Sequence, residues 1–149
     1  MNILFVCTGN TCRSPMAEAV LKHRGNEDFE VKSAGVFAMD GTDASFQAKE
    51  VLKENDIIHR HQSKLLTKED LDWASYIFTM TSNHKRAIVD QYPSVADKIF
   101  TLKEYVLTDP GNLDVSDPFG GSVDIYRHTY RELNELIEEL IIKLEKEKD

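Results

Sequence analysis

The chain has 149 residues, 41 % of them hydrophobic and 30 % charged, with four prolines and seven glycines; this is the composition of a globular chain with one core rather than of a disordered or fibrous one. Eighteen basic residues against twenty-six acidic ones leave a formal net charge of -8, which argues against nucleic-acid binding through a broad basic surface, so an anion must be held by a local device. No run approaches the roughly 20 apolar residues of a membrane span, and two cysteines are too few for a disulfide framework, so one cytoplasmic, monomeric domain over residues 1–149 is expected, with no membrane partner.

In chain order, Asn2 to Val6 is a continuous apolar run of strand length, as in a strand buried on both faces. Gly9 and Asn10 interrupt it, and Ser14 and Pro15 then read as the cap and first position of a helix whose inward stripe is Ala17, Val20 and Leu21. Phe29 to Ser33 predicts a second strand. Ala44, Ala48, Val51 and Leu52 predict a helix near 43–54. Thr67 and Asp70 resemble a capping box that opens a short helix through Trp73, and Ser75 to Met80 supplies the third strand. Thr81 or Ser82 begins a helix that must end by Tyr92, before Pro93. Lys98 to Leu102 is the fourth strand, and 107–123 is a polar loop rich in glycine, proline and aspartate. From Ser122 onward, Ile125, Thr129, Leu133, Leu136, Ile137, Leu140, Ile141 and Leu144 trace one face of a long helix, with a frayed tail over 145–149. The alternation predicts an α/β fold, a parallel sheet with helices on both faces, whose ligands bind beyond the carboxyl ends of the strands.

The segment that carries chemistry runs from Cys7 through Thr8, Gly9, Asn10, Thr11, Cys12 and Arg13 to Ser14. A loop curled around an anion aims backbone N–H groups at its oxygens, and the helix that follows adds its positive end. Gly9 permits close or left-handed backbone and Asn10 tolerates it. Arg13 closes the ring with a bidentate donor pair. The same field favours a thiolate at Cys7, the expected nucleophile. The segment lacks the second glycine and the lysine of a nucleotide-binding loop, and two thiols without further ligands do not make a zinc site. Neither a metal nor any other cofactor is implied.

Transfer to Cys7 leaves a departing heteroatom that needs a proton, and hydrolysis of the thiophosphate needs a water relieved of one; a carboxyl group does both in turn. Asp117 is the leading choice, because Pro118 restricts the backbone and the glycines at 120 and 121 leave room beside a pocket, while Asp109, Asp114 and Asp124 compete. Phe119 either walls the pocket or packs beneath the loop. His61 and His84 on their own residues are weak candidates for catalysis, and Tyr105 and Tyr126 read as packing or surface groups.

The segment CTGNTCRSP after the first strand, SAG after the second and the distant DPF together resemble the low-molecular-weight protein-tyrosine phosphatase family over essentially the whole chain. The resemblance implies a four-stranded parallel sheet and a cofactor-free, two-step hydrolysis through a cysteinyl phosphate, with Cys7, Arg13 and Asp117 catalytic and residues 8–14 binding phosphate. It implies that Asn10 holds a left-handed turn through a network with Ser33 and His61, that Ser14 donates to the thiolate, and that Cys12 can trap oxidised Cys7 as a disulfide. Within the family the likeness is greatest to the bacterial protein-arginine phosphatases: Thr11 stands where a bulky aliphatic residue is common, and Phe119-Gly120-Gly121 follows the Asp-Pro pair. A Thr11 hydroxyl suits the polar N–H groups of a phosphoguanidinium, whose plane could lie against Phe119. The expected partners are therefore arginine-phosphorylated proteins, with tyrosine-phosphorylated proteins as the alternative. An arsenate reductase would need resolving cysteines beyond the loop, and a noncatalytic phosphate-binding module has no use for both Cys7 and Asp117.

Overall fold

The structure, a computed structural model, describes residues 1–109 and 111–148, the side chain of Lys148 excepted. Strand β1 (Asn2–Cys7) lies between β2 (Glu30–Gly35) and β3 (Tyr76–Thr79), with β4 (Ile99–Thr101) outside β3; the order is β2-β1-β3-β4 and every pairing is parallel. Because successive strand side chains point to opposite faces, β1 feeds two cores. Ile3, Phe5 and Cys7 join the core under α1 (Arg13–Arg24), α2 (Phe46–Glu54) and α6 (Val123–Lys148), whereas Leu4 and Val6 join the one under α3 (Lys68–Trp73) and α4 (Ser82–Gln91). A strand buried on both faces explains the unbroken apolar run that begins the sequence.

The long helix α6 packs on α1 and α2 through Leu133, Ile137, Leu140 and Leu144, all fully buried. Truncating any of them to alanine costs about 2–5 kcal/mol by the usual cavity rule. Ile125, expected on this face, is exposed; Tyr126 and Tyr130 are buried instead. The helix reaches Lys148, and the segment expected to fray is tethered, since Glu145 accepts from Asn26 and Tyr76 donates to Glu147. Asp149 lies outside the described residues.

Other boundaries also differ from expectation. Leu102 does not end β4 but opens α5 (Leu102–Val106), started by a capping box in which Thr101 and Glu104 serve each other's backbone amides; the T-x-x-E spacing carried that signal. Ser14 does not cap α1. Cys12 takes the cap position without a side-chain bond, because the Ser14 hydroxyl is committed to the loop described next. Among the described residues no helix is long and apolar enough to cross a membrane.

Candidate active site

The carboxyl end of β1 delivers Cys7 to the crevice where the sheet changes direction, between β2 on one side and β3 on the other, the position at which open α/β sheets bind ligands. The chain then curls through residues 8–12 into α1. Two amides beyond β2 hold the start of the curl: Val36 donates to the Cys7 carbonyl at 3.0 Å and Phe37 to that of Thr8 at 2.9 Å. The approach is so close that a Cβ on Gly35 would fall 2.4 Å from the Thr8 carbonyl oxygen, so only glycine fits there. The left-handed residue of the loop is Asn10, with φ 57°. Gly9 is not left-handed, and a Cβ there would meet only the Thr11 hydroxyl, at 3.7 Å.

Asn10 is fully buried and its side chain is saturated. The Lys64 amide donates to Oδ1 at 2.9 Å, which fixes the amide orientation; Nδ2 then donates to Ser14 Oγ at 2.8 Å and to Ser33 Oγ at 2.9 Å. Each hydroxyl keeps its own hydrogen and a second lone pair for one further partner. The Ser14 hydroxyl lies 2.8 Å from Cys7 Sγ and donates to it when the sulfur is a thiolate, and Ser33 donates to the acceptor-only Glu18 Oε1 at 2.6 Å. His61 Nε2 lies 2.7 Å from the Asn10 carbonyl, which can only accept, so Nε2 carries the proton. The structure therefore brings together all the support residues that the resemblance named.

The front of the loop opens into a cavity of about 220 Å³ lined by Cys7, Thr8, Gly9, Thr11, Cys12, Arg13, Asp117 and Phe119. Arg13 is buried; its Nη1 donates to the Val115 carbonyl at 3.1 Å and its Nη2 stands 3.7 Å from Asp117 Oδ2. The other Asp117 oxygen accepts from the Phe119 amide at 3.0 Å, and its side chain remains 56 % exposed, so the carboxyl group is aimed at the cavity yet reachable by water. Phe119 projects almost freely, at 79 % exposure, and walls the cavity rather than packing beneath the loop. Of the competing carboxylates, Asp114 caps α4 by accepting from the Ser82 amide, Asp124 pairs with Arg127, and Asp109 does not line the cavity.

Burial pushes the Cys7 thiol above its usual range, while the Ser14 hydroxyl and amide, the Arg13 charge and the Asn10 amide pull it down. The sequence-based expectation of a lowered thiol counted only this second group, together with the positive end of α1; the depth of Cys7, a residue 3 % exposed, is what it left out.

Three residues have roles that the sequence did not assign to them. Gly35 is the contact glycine of the crossing. Tyr126, buried on α6, places its hydroxyl 3.1 Å from Cys12 Sγ, and burial followed by that sulfur contact raises its pKa to about 12. His84, buried in the first turn of α4, sets Nε2 2.8 Å from the Thr8 hydroxyl. Burial, then the Arg13 charge, lowers its pKa to about 4. The place of His84 just past the carboxyl end of β3 was the available signal.

Over residues 2–149 the chain matches the family described as low molecular weight phosphotyrosine protein phosphatase. A protein-arginine-phosphatase of Geobacillus stearothermophilus is 52 % identical over 145 residues, covering 97 % of either chain. A low molecular weight protein-tyrosine-phosphatase, PtpB, of Staphylococcus haemolyticus is 42 % identical, over 94 % of this chain and 97 % of its own. Among solved structures, the YwlE arginine phosphatase C7S mutant with phosphorylated active site serine superposes with a TM-score of 0.93 at 48 % identity, covering 98 % of this chain and 97 % of that one.

Proposed function

The chain belongs to the low molecular weight phosphotyrosine protein phosphatase family, and from that premise we propose that it is a cysteine-dependent protein phosphatase that hydrolyses the P–N bond of phosphoarginine. The phosphoryl group enters the cavity over the loop, where the amides of residues 8–14 and the Arg13 guanidinium receive its oxygens. Cys7 Sγ attacks phosphorus and the P–N bond breaks. Asp117 supplies the proton that the departing guanidine nitrogen needs, then takes one from the water that attacks the thiophosphate. A serine in a 48 % identical relative, a C7S mutant, is phosphorylated at the active site, which supports the covalent route through Cys7. To a thiolate the Ser14 hydroxyl, 2.8 Å from the sulfur, can only donate, and that bond favours the thiolate as attacking and as leaving group.

The observation that carries the choice of phosphoarginine is Thr11, a residue that lines the same cavity as Asp117 and Phe119. A flat guanidinium between Phe119 and the Asp117 carboxylate leaves N–H groups at the rim, and a hydroxyl there satisfies what an aliphatic side chain would strand. The protein-arginine-phosphatase name of the 52 % identical relative agrees. The freely projecting Phe119 would also flank a phenyl ring, and PtpB, at 42 % identity, is named for tyrosine, which makes phosphotyrosine the second reading. Turnover on matched phosphoarginine and phosphotyrosine peptides decides between them: a higher kcat/KM on phosphoarginine is expected, and a preference for phosphotyrosine overturns the assignment.

The substrates are phosphoproteins, the compartment is the cytoplasm and the working unit a monomer, readings supported by two free thiols and a net charge of -8 and checked by fractionation and light scattering. Peroxide would oxidise Cys7 to a sulfenic acid, whose sulfur the Cys12 thiol attacks, releasing its hydroxyl as water to leave a disulfide; both residues line the one cavity. A mass loss of two hydrogens after mild oxidation, mapped to these residues, is the check.

A further inference from the structure

Behind the phosphate loop, Glu18 of α1 meets His59 and His61 of the segment that follows α2. One carboxylate oxygen and one nitrogen from each ring lie within 4.8 Å of one another. The side chains are deep, with exposures of 10 %, 9 % and 4 % in that order. None of these distances is a hydrogen bond: Glu18 Oε1 stands 3.6 Å from His59 Nε2 and 3.8 Å from His61 Nδ1. Among the described residues His59 Nε2 has no hydrogen-bond partner, although a buried polar atom left so costs about 1–3 kcal/mol. His61 has spent its proton on the Asn10 carbonyl, so Nδ1 presents a lone pair to the carboxylate. Two electron-rich groups face one another across an orphaned imidazole, and a positive centre between them would relieve all three.

We propose that Glu18, His59 and His61 form a binding site for a zinc ion that clamps the phosphate loop from behind. Zinc–nitrogen and zinc–oxygen bonds of about 2.0–2.2 Å in tetrahedral geometry place ligand atoms roughly 3.3–3.6 Å apart; the two carboxylate–imidazole distances, 3.6 and 3.8 Å, already stand near that spacing, and the two ring nitrogens, within 4.8 Å of one another, close on the ion by turning about their side-chain bonds. The outer contacts are those of a built site. The Asn10 carbonyl fixes the His61 tautomer, and Glu18 is oriented by Ser33 on Oε1 and Lys22 on Oε2, each at 2.6 Å. A cavity of about 330 Å³ reaches Glu18 and His61 from solvent and leaves room for water as a fourth ligand. Lys22, Arg60 and Lys64 also border that cavity, so a hard cation drawn by charge alone gains little; two imidazole nitrogens select a transition metal such as zinc over magnesium or calcium.

The site is separate from the phosphoryl-transfer chemistry but joined to its scaffold. Zinc would tie α1 to the 57–63 segment and, through His61 and Asn10, to the left-handed turn on which the loop depends. A ligand bound only by the folded state raises the melting temperature.

Zinc also binds thiolates, so the test uses the full chain with Cys7→Ser and Cys12→Ser. Calorimetric titration with zinc chloride should show one ion per chain, and adding His59→Ala should weaken binding by more than about 100-fold, beyond the usual loss from removing an outer contact. No binding, or binding unchanged by His59→Ala, overturns the proposal. Nitrogen NMR of the histidine rings, with all five histidines in place, gives a second reading that does not depend on a ligand variant. Zinc should shift His59 Nε2 and His61 Nδ1 while leaving His61 Nε2 protonated; shifts confined to His23, His84 or His128 overturn it.

Discussion

The phosphate loop has two sides built on opposite principles. Behind it, Asn10, Ser14, Ser33, Glu18 and His61 form a buried chain of hydrogen bonds in which the direction of each proton follows from the last. In front, Asp117 and Phe119 stand on an exposed stretch, the carboxyl group held by one backbone amide and a distant guanidinium. The back is densely bonded around Asn10 because a left-handed turn carrying a buried sulfur must be held in one arrangement. The front is sparse because a carboxyl group that gives and then takes a proton must stay open to substrate and water. Changes at the back should therefore disturb fold and rate together, and changes at the front rate alone.

The largest expected effect tests the front. Asp117→Asn should lower kcat on a phosphoarginine peptide by about 10²–10⁴-fold, the usual worth of a positioned acid and base, with the urea midpoint unmoved, because the side chain is more than half exposed. A matching loss of stability would mean that the carboxylate holds the fold, and the contrast would fail.

At the back, Asn10→Ala removes three side-chain hydrogen bonds and puts alanine at φ 57°. Each lost bond costs about 1 kcal/mol and the left-handed conformation about 1–2 more, so roughly 4 kcal/mol of stability should go, measured by urea unfolding. Turnover should fall with it even where the variant is still folded.

His84 tests the boundary between the two sides. Its folded pKa of about 4 lies below the ordinary 6.5, so between these values the unfolded chain binds the extra proton and stability rises with pH. The contribution is complete above about pH 6.5 and declines as pH falls to 4, by on the order of 3 kcal/mol. His84→Gln, which keeps an amide within reach of Thr8, should be less sensitive than the parent across this window, as read from melting temperature against pH. Parallel curves would remove burial of a neutral His84 as a source of acid sensitivity.

Local signals carried much of this architecture. The apolar run at 2–6 encoded the central strand, and the spacing of Cys7 and Arg13 across a strand-to-helix junction encoded the cradle. Boundaries were lost where a side chain had a tertiary use: Ser14 looked like a cap, but its hydroxyl serves Cys7 and Asn10. The parts played by Gly35, Tyr126 and His84 were illegible for the opposite reason, since each acts through a partner distant in sequence, such as Thr8 or Cys12; His84 read only as a weak catalytic candidate and Tyr126 as a packing or surface group. Depth was invisible too, and with it the desolvation that opposes a thiolate at Cys7.

The smallest change asks whether the front discriminates as well as reacts. The Thr11 hydroxyl makes only a long contact, 3.7 Å, with Cys12 Sγ, so Thr11→Ile removes no strong internal bond and should leave stability within about 0.5 kcal/mol. Its effect should fall on the ratio of kcat/KM for phosphoarginine to that for phosphotyrosine. An isoleucine at the rim strands the guanidinium N–H groups, a loss of about 1–3 kcal/mol, and leaves a phenyl ring unharmed. The ratio should drop by about 10-fold or more, mostly through slower phosphoarginine turnover. An unchanged ratio would shift the specificity to Phe119 and the backbone around it, because among the described residues lining this cavity the other hydroxyl belongs to Thr8, which is already held by His84.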